Sequence, residues 1–72
     1  MFYDGIVIDL KAGGFTKQCR DVYHYHNPRT DHFAAIGTIE HDRWAVYIWK
    51  RGEEGENYYN YDSLQEKLSS IQ

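Results

Sequence analysis

Two apolar segments on either side of a two-residue turn restrict the fold of this chain more than any other feature. Residues 32–40 (HFAAIGTIE) and 43–51 (RWAVYIWKR) are rich in β-branched and aromatic residues, and only His41 and Asp42 separate them. This arrangement predicts a β-hairpin. Alternation along the second segment leaves both of its faces apolar, so we expect this strand inside a sheet. The two faces carry Trp44, Val46 and Ile48 on one side and Ala45, Tyr47 and Trp49 on the other.

The first third of the chain is also predicted to be mainly β-structure. Residues 5–11 include the β-branched run Ile-Val-Ile and alternate in polarity, which predicts a strand that ends at the Gly13-Gly14 pair. Residues 20–26 (RDVYHYH) favour a second strand, because the Asn27-Pro28 pair that follows them favours a turn. Apolar residues also recur at helical spacing from Phe15, so a helix remains an alternative for residues 15–19.

The last third predicts one more strand and a helix. Residues 52–55 form an acidic loop, and residues 57–61 (NYYNY) favour a strand. Asp62 or Ser63 can cap the following helix, in which Leu64, Leu68 and Ile71 recur at i, i+4 and i+7. The sequence therefore predicts an α+β fold: a small antiparallel sheet of four to five strands with a C-terminal helix packed on one face.

The size of the chain limits it to one domain, residues 1–72. A chain of 72 residues buries only about 60% of the surface that its unfolded form exposes, so its core is thin. Its single cysteine, Cys19, cannot form an internal disulfide. Neither a leader segment nor an apolar run of about 18 residues is present, so we expect a cytoplasmic protein without a membrane partner. A homodimer is a further possibility, because small domains often gain stability from association.

A sheet with a single short helix leaves one face partly exposed. Because 17% of the residues are aromatic, we expect this face to expose rings, with Tyr47 and Trp49 the strongest candidates and Tyr3, Tyr23 or Tyr25 beside them. Contiguous exposed aromatic residues typically mark an interaction surface. The alternative is a second layer, such as a helix around Phe15, that buries these rings as core.

The charge distribution favours a basic protein partner. Residues 1–50 carry six basic and six acidic residues, whereas the remainder carries the whole net charge of −3. Nucleic-acid binding draws on neutralised phosphates, and no basic stripe is available for it, so direct nucleic-acid binding is disfavoured. The predicted partner-binding residues are therefore aromatic anchors and steering charges. They are Tyr47, Trp49, Tyr23, Tyr25, Glu53, Glu54, Glu56 and Asp62.

Two histidines one residue apart are the main candidates for chemistry. His24 and His26 share one face of a strand, and His32, His41 or Cys19 could supply a third metal ligand. The short spacings of closed zinc sites are absent, and exposed histidines beside a turn explain the same pattern. No nucleophile with a base, phosphate loop or carboxylate pair suited to acid–base catalysis is evident. We therefore expect no catalytic residues, metal or cofactor.

The stretch from Gly14 to Pro28 resembles the HicA-type RNA-cleaving toxins, which are small α+β domains. In that family a Gly-Phe pair is followed by Gly-Ser-His and then by an aromatic-x-His-Pro ending. Gly14-Phe15 matches the pair and Tyr25 matches the aromatic residue, over about fifteen of the 72 residues. Val22 stands where the family has its catalytic histidine. Without that imidazole the family's chemistry has no carrier unless His24 replaces it.

The leading hypothesis is a small non-catalytic protein-binding module that inhibits or regulates a basic, nucleic-acid-handling protein. In composition the chain is similar to phage-encoded accessory inhibitors, including anti-CRISPR proteins, which are often short acidic domains. The alternative is an RNA-binding or RNA-cleaving toxin-type domain that uses His24 and His26 together with aromatic stacking.

Overall fold

The computed structural model describes residues 4–18, 23–40 and 43–71. Its five strands form one antiparallel sheet in the order β1-β2-β3-β4-β5, with the C-terminal helix packed against it, as predicted. No helix among the described residues is long and apolar enough to cross a membrane. Along the chain the elements are α1 (Asp4–Ala12), β1 (Thr16–Lys17), β2 (His24–Asn27), β3 (His32–Glu40), β4 (Arg43–Lys50), β5 (Glu56–Tyr58) and α2 (Tyr61–Ile71).

The predicted hairpin is confirmed as β3 and β4. The two strands pair from His32 opposite Lys50 to Glu40 opposite Arg43, with a bulge between Thr38 and Glu40. The predicted turn at residues 41–42 lies outside the described residues. β4 also pairs with β5, so it is an interior strand of the sheet, as its two apolar faces predicted.

The predicted strand at residues 5–11 is wrong, because this segment is helix α1. Ile6 and Leu10 lie one helical turn apart and are both fully buried. Gly14 has a φ of 94°, which residues with a side chain rarely adopt. The N–H groups of Gly14 and Phe15 donate to carbonyls in the last turn of the helix, which ends there. The N–H of Phe15 donates to the Leu10 carbonyl at 3.0 Å and that of Gly14 to the Lys11 carbonyl at 3.1 Å. This is a Schellman motif, and its stabilisation together with core packing outweighs the β-propensity of Ile-Val-Ile.

The next stretch is a strand, as favoured. β2 covers His24–Asn27, and residues 20–22 of the predicted strand lie outside the described residues. The helix alternative is wrong for residues 15–18, because Thr16 and Lys17 form β1 and pair with His26 and Tyr25. The turn predicted after Asn27 is confirmed: the N–H of Asp31 donates to the Asn27 carbonyl at 2.8 Å.

The C-terminal helix is confirmed, with a different cap. The strand predicted at residues 57–61 is Glu56–Tyr58, and α2 begins at Tyr61. The side-chain Oδ1 of Asn60 accepts the N–H of Ser63 at 2.8 Å, so Asn60 is the N-cap rather than Asp62 or Ser63. Leu64 and Leu68 are buried, as their spacing predicted.

Both helices pack on the same face of the sheet. The buried cluster joins Ile6 and Leu10 of α1 to Leu64 and Leu68 of α2 through alternate residues of the strands. Cross-strand partners share a face, and Ala34, which is buried in this cluster, pairs with Ile48 on one side and Tyr25 on the other. The opposite face carries neither of the two described helices, and we call it the open face.

Candidate functional site: the open face of the sheet

A row of rings crosses the open face from β2 to β4. The ring centroids of His26 and Phe33 are 4.5 Å apart with planes 25° from parallel, and those of Phe33 and Trp49 are 5.2 Å apart at 15°. Tyr47 lies two residues before Trp49, with its ring centroid 5.4 Å from the indole. We call these four residues the aromatic row. Because β3 lies between β2 and β4, His26 and Trp49 cover opposite sides of the Phe33 ring.

An ion pair between Asp31 and Arg51 lies at one end of the aromatic row. Arg51 donates from Nε to Asp31 Oδ2 at 2.6 Å, and its guanidinium carbon lies 5.0 Å from the Phe33 ring centroid. The other carboxylate oxygen of Asp31 is 2.8 Å from His26 Nε2. A carboxylate only accepts, so the neutral imidazole carries its proton on Nε2 and keeps Nδ1 as an acceptor. The hydrogen bond from Arg51, followed by that from His26, lowers the pKa of Asp31 below its ordinary value.

This network predicts an acid-dependent loss of stability. The pKa of Asp31 is lower in the folded than in the unfolded protein, where it has its ordinary value of 3.8. Its carboxylate therefore stabilises the fold at a pH above 3.8. This contribution is lost as the pH falls through the folded-state pKa. Between about pH 5 and pH 3, the thermal midpoint should therefore fall more steeply for the native protein than for Asp31→Asn. Circular dichroism melts across this range provide the measurement, and parallel slopes would contradict the prediction.

The acidic loop at residues 52–55 is held against the aromatic row. The N–H of Gly55 donates to the Tyr47 hydroxyl at 3.0 Å. A Cβ at Gly55 would overlap the Ile48 carbonyl oxygen and lie 2.6 Å from the Trp49 Cβ, so only glycine allows this approach. Glu53 and Glu54 of this loop are exposed. The open face thus has four neighbouring rings, one of which is hydrogen-bonded to the acidic loop.

Two of the eight predicted partner-binding residues come together on the open face: Tyr47, which is 36% exposed, and Trp49. Glu53 and Glu54 lie in the adjoining loop, where they line a cavity together with His32 and Lys67 at the border of the helix-covered face. The alternative in which a second layer buries these rings is wrong for Tyr47. The second helix exists, but α1 packs on the same face as α2.

The remaining predicted residues lie elsewhere. Tyr25 is 1% exposed, so its prediction as a surface anchor is wrong: it pairs with Ala34 on the helix-covered face. Tyr23, just before β2, is exposed, and its carbonyl accepts the N–H of Ile36 at 2.8 Å. Glu56 pairs with Ile48, which puts it on the helix-covered face, and Asp62 lies in the first turn of α2. Tyr3 lies outside the described residues.

Phe33, Asp31 and Arg51 were not among the predicted site residues. His26 was a candidate metal ligand or RNA-cleaving residue and not a predicted member of an aromatic surface. Continuing the hairpin pairing from the turn would set Phe33 opposite Lys50, and only the bulge between Thr38 and Glu40 brings Phe33 opposite Trp49. No local pattern indicates that Asp31, twenty residues from Arg51, links it to His26.

The histidines do not assemble a metal site within the part of the chain that the structure describes. His24 and His26 share the open face, but His32 pairs with Asn27 and Lys50 on the other face. His32 Nδ1 lies 2.8 Å from Thr30 Oγ1, and burial, followed by the charges of Lys67 and Lys50, lowers the pKa of its imidazole. No group of three or more His, Cys, Asp or Glu residues that could hold a metal occurs among residues 4–18, 23–40 and 43–71. Cys19 and His41 lie outside these ranges.

Comparisons of the chain with protein-family models, with curated proteins and with solved structures give no match. The resemblance to HicA-type toxins therefore gains no support from them. Function has to be inferred from the geometry of the chain itself.

Proposed function

We propose that this chain is a small non-catalytic protein-binding module whose recognition surface is the open face of its sheet. Its partner is a basic protein of the kind that handles nucleic acid, and its role is that of an inhibitor or regulator, comparable to phage accessory and anti-CRISPR proteins in profile. One observation carries the proposal: four neighbouring rings lie on the face that neither described helix covers, and the N–H of Gly55 in the acidic loop donates to one of them, Tyr47.

The orientation of the rings favours a protein over a single-stranded nucleic acid. Bases bind aromatic side chains by stacking on a free ring face. Both sides of the Phe33 ring are covered by its neighbours, so it offers an edge to a partner. Ring edges pack well against aliphatic side chains and the rings of a protein surface, and such aromatic clusters are typical interface anchors.

The charges around the aromatic row favour a basic partner. The guanidinium carbon of Arg51 lies 5.0 Å from the Phe33 ring centroid, and its charge is neutralised by Asp31 at 2.6 Å. Glu53 and Glu54 stand in the exposed loop that Gly55 ties to Tyr47. Carboxylates at the rim of an aromatic patch speed the encounter with a positively charged surface, while the rings hold the complex.

The proposal is tested by capture followed by a binding measurement. The tagged protein is used to isolate its partner from lysate, and the affinity of the purified pair is then measured by calorimetry. Because truncation of central aromatic anchors typically costs 2 kcal/mol or more, the Tyr47→Ser, Trp49→Ser double variant should bind at least about 30-fold more weakly. The matched control is Tyr59→Ser, which removes a ring that is 55% exposed and belongs to none of the described ring contacts, and it should bind normally.

The steering charges have their own control. Glu53→Gln with Glu54→Gln should slow association at low salt and lose this effect at high salt, whereas Asp62→Asn, in the first turn of α2, should not. A partner that binds the Tyr47, Trp49 double variant as tightly as the native protein would overturn the proposal.

One observation favours RNA cleavage as a second candidate. Asp31 orients His26 and leaves its Nδ1 as a proton acceptor on the same face as His24, which is an arrangement suited to a general base. This candidate requires that the purified protein cleave RNA and that His26→Ala and His24→Ala abolish cleavage. An intact RNA substrate after incubation with the native protein would remove it.

A further inference from the structure

We propose that, when no other partner is bound, the open face binds the open face of a second copy of this chain around a two-fold axis. The axis lies between the two sheets and runs across the strands, parallel to the line that joins Ala35 on β3 to Tyr47 on β4. This inference stands on the distribution of large and small side chains over the open face, and it does not depend on the identity of another partner.

The open face has large side chains at one end and the smallest ones at the other. On β3 the residues that point to it are Phe33, Ala35 and Gly37, and each has a cross-strand partner on β4. The three pairs are Phe33 with Trp49, Ala35 with Tyr47, and Gly37 with Ala45. The large pair, Phe33 with Trp49, and the small pair, Gly37 with Ala45, therefore lie on opposite sides of the middle pair. Each is two residues away from it along both strands.

A two-fold rotation about the middle pair exchanges the two ends. When one sheet is turned over onto the other in this way, Phe33 of one copy lies above Gly37 of the other, and Trp49 above Ala45. Stacked sheets pack about 10 Å apart. A ring above glycine or alanine fits into that layer. Tyr47 lies on the axis opposite its own equivalent, and each Tyr47 hydroxyl is hydrogen-bonded to Gly55 of its own copy at 3.0 Å, so the two rings are turned toward opposite ends of the dimer. The face is thus complementary to itself in the manner that an isologous dimer requires.

Gly37 directly precedes the bulge of β3, but its own backbone conformation and surroundings do not require glycine. Its φ lies outside the positive range that favours glycine, and a Cβ built on it meets none of the described atoms within 4 Å. Glycine inside a strand weakens the sheet, and it often marks a position that another group approaches closely. A ring from a second copy is such a group.

The charges at the two ends do not oppose this pairing. Asp31 neutralises Arg51 at the end with the aromatic row, and Glu40 lies 3.9 Å from Arg43 at the hairpin end. The two-fold rotation also carries the acidic loops of the two copies to opposite ends of the dimer, so Glu53 and Glu54 do not meet their equivalents.

The area of the face sets the strength of the dimer. Three rows of side chains across three to four strands cover about 500 Å² per copy, or about 1,000 Å² in total, which is at the lower limit of specific interfaces. We therefore expect a reversible dimer with a dissociation constant of about 10–100 µM, which a tighter partner on the same face would displace.

Sedimentation equilibrium of the isolated protein tests the inference. Between about 5 and 500 µM, the mean mass should rise from the monomer value of 8.6 kDa toward twice that value. Gly37→Leu fills the space for the ring and should remain monomeric throughout, with a thermal midpoint no lower than that of the native protein. Ser69→Leu adds the same side chain to an exposed position of α2 and should dimerise normally. Trp49→Ala provides a second variant and should dimerise at least about tenfold more weakly.

Two outcomes would overturn the dimer. One is a mass of 8.6 kDa at every concentration, and the other is self-association that persists unchanged in Gly37→Leu. In the first case, a partner whose capture depends on Trp49 would leave the proposed function standing. The failure of one proposal is therefore distinguishable from the failure of the other.

Discussion

Replacing Tyr25 with alanine is expected to lower the free energy of unfolding by about 4 kcal/mol. Tyr25 is the largest of the fully buried side chains, with 1% of its surface exposed, and it lies in the core opposite Ala34. Its removal leaves a cavity that a thin core cannot close by repacking. Because the total stability of a domain of this size is about 4–10 kcal/mol, the substitution should remove roughly 40% or more of it. Urea denaturation followed by circular dichroism measures the loss.

Tyr23 provides the matched control for this variant. It lies two residues earlier on the chain and is 44% exposed. Tyr23→Ala should therefore cost less than about 1 kcal/mol. Equal losses for the two tyrosines would mean that Tyr25 does not occupy the core position described above.

Replacing Asn27 with alanine is expected to cost about 3 kcal/mol. Asn27 is the buried polar residue of the described core, with 1% exposure, and its amide connects two elements. Nδ2 donates to the Gly13 carbonyl at 3.2 Å, and Oδ1 accepts the N–H of Arg29 at 3.0 Å. Alanine leaves both of these groups without their partner and detaches the end of α1 from the turn after β2. Each buried group left unsatisfied costs about 1–3 kcal/mol.

Asn57 offers the same substitution at an exposed position. It lies on β5 opposite Tyr47, and Asn57→Ala should change the free energy of unfolding by less than about 0.5 kcal/mol. Urea denaturation of both variants compares them directly. A loss of less than about 1 kcal/mol for Asn27→Ala would contradict the role of Asn27 as a buried connection between α1 and the sheet.

The hairpin was predictable from the sequence, but its register was not. A two-residue turn at 41–42 pairs Glu40 with Arg43, as the structure has it, and continuing that pairing would set Phe33 opposite Lys50. The bulge after Thr38 shifts the pairing by one residue and sets Phe33 opposite Trp49. A shift of one residue changes which side chains are neighbours on a face. The aromatic row therefore depends on the bulge between Thr38 and Glu40, which Gly37 directly precedes but does not by itself predict.

Helix α1 shows how a local preference misleads. The run Ile-Val-Ile at residues 6–8 favours a strand by propensity. The same segment also places Ile6 and Leu10 one helical turn apart and ends at Gly13-Gly14-Phe15, a pattern typical of a helix C-terminus. Tertiary packing decides between the two, because both residues are buried against the sheet. The Gly13-Gly14 pair therefore ends a helix and not the predicted strand.

The composition of the exposed surface was partly predictable. Alternation along β4 correctly placed Tyr47 and Trp49 on one face. The expected uncovered face had a different cause from the predicted one: there are two described helices, and both pack on the same side of the sheet. The choice between Tyr23 and Tyr25 required the pairing of β2 with β3, which depends on the turn after Asn27. The network of His26, Asp31 and Arg51 joins three elements, and only their three-dimensional arrangement brings it together.

Hydroxyl-radical footprinting of the chain bound to its captured partner tests the role of the open face most directly. If the open face is the recognition surface, oxidation of Phe33, Tyr47 and Trp49 should fall at least about threefold on binding, because a buried interface core excludes water. Oxidation of Tyr59, which lies beyond the end of β5 and is 55% exposed, should stay unchanged. Protection of Tyr59 with undiminished oxidation of Tyr47 and Trp49 would show that the partner binds elsewhere, and it would contradict the proposed function.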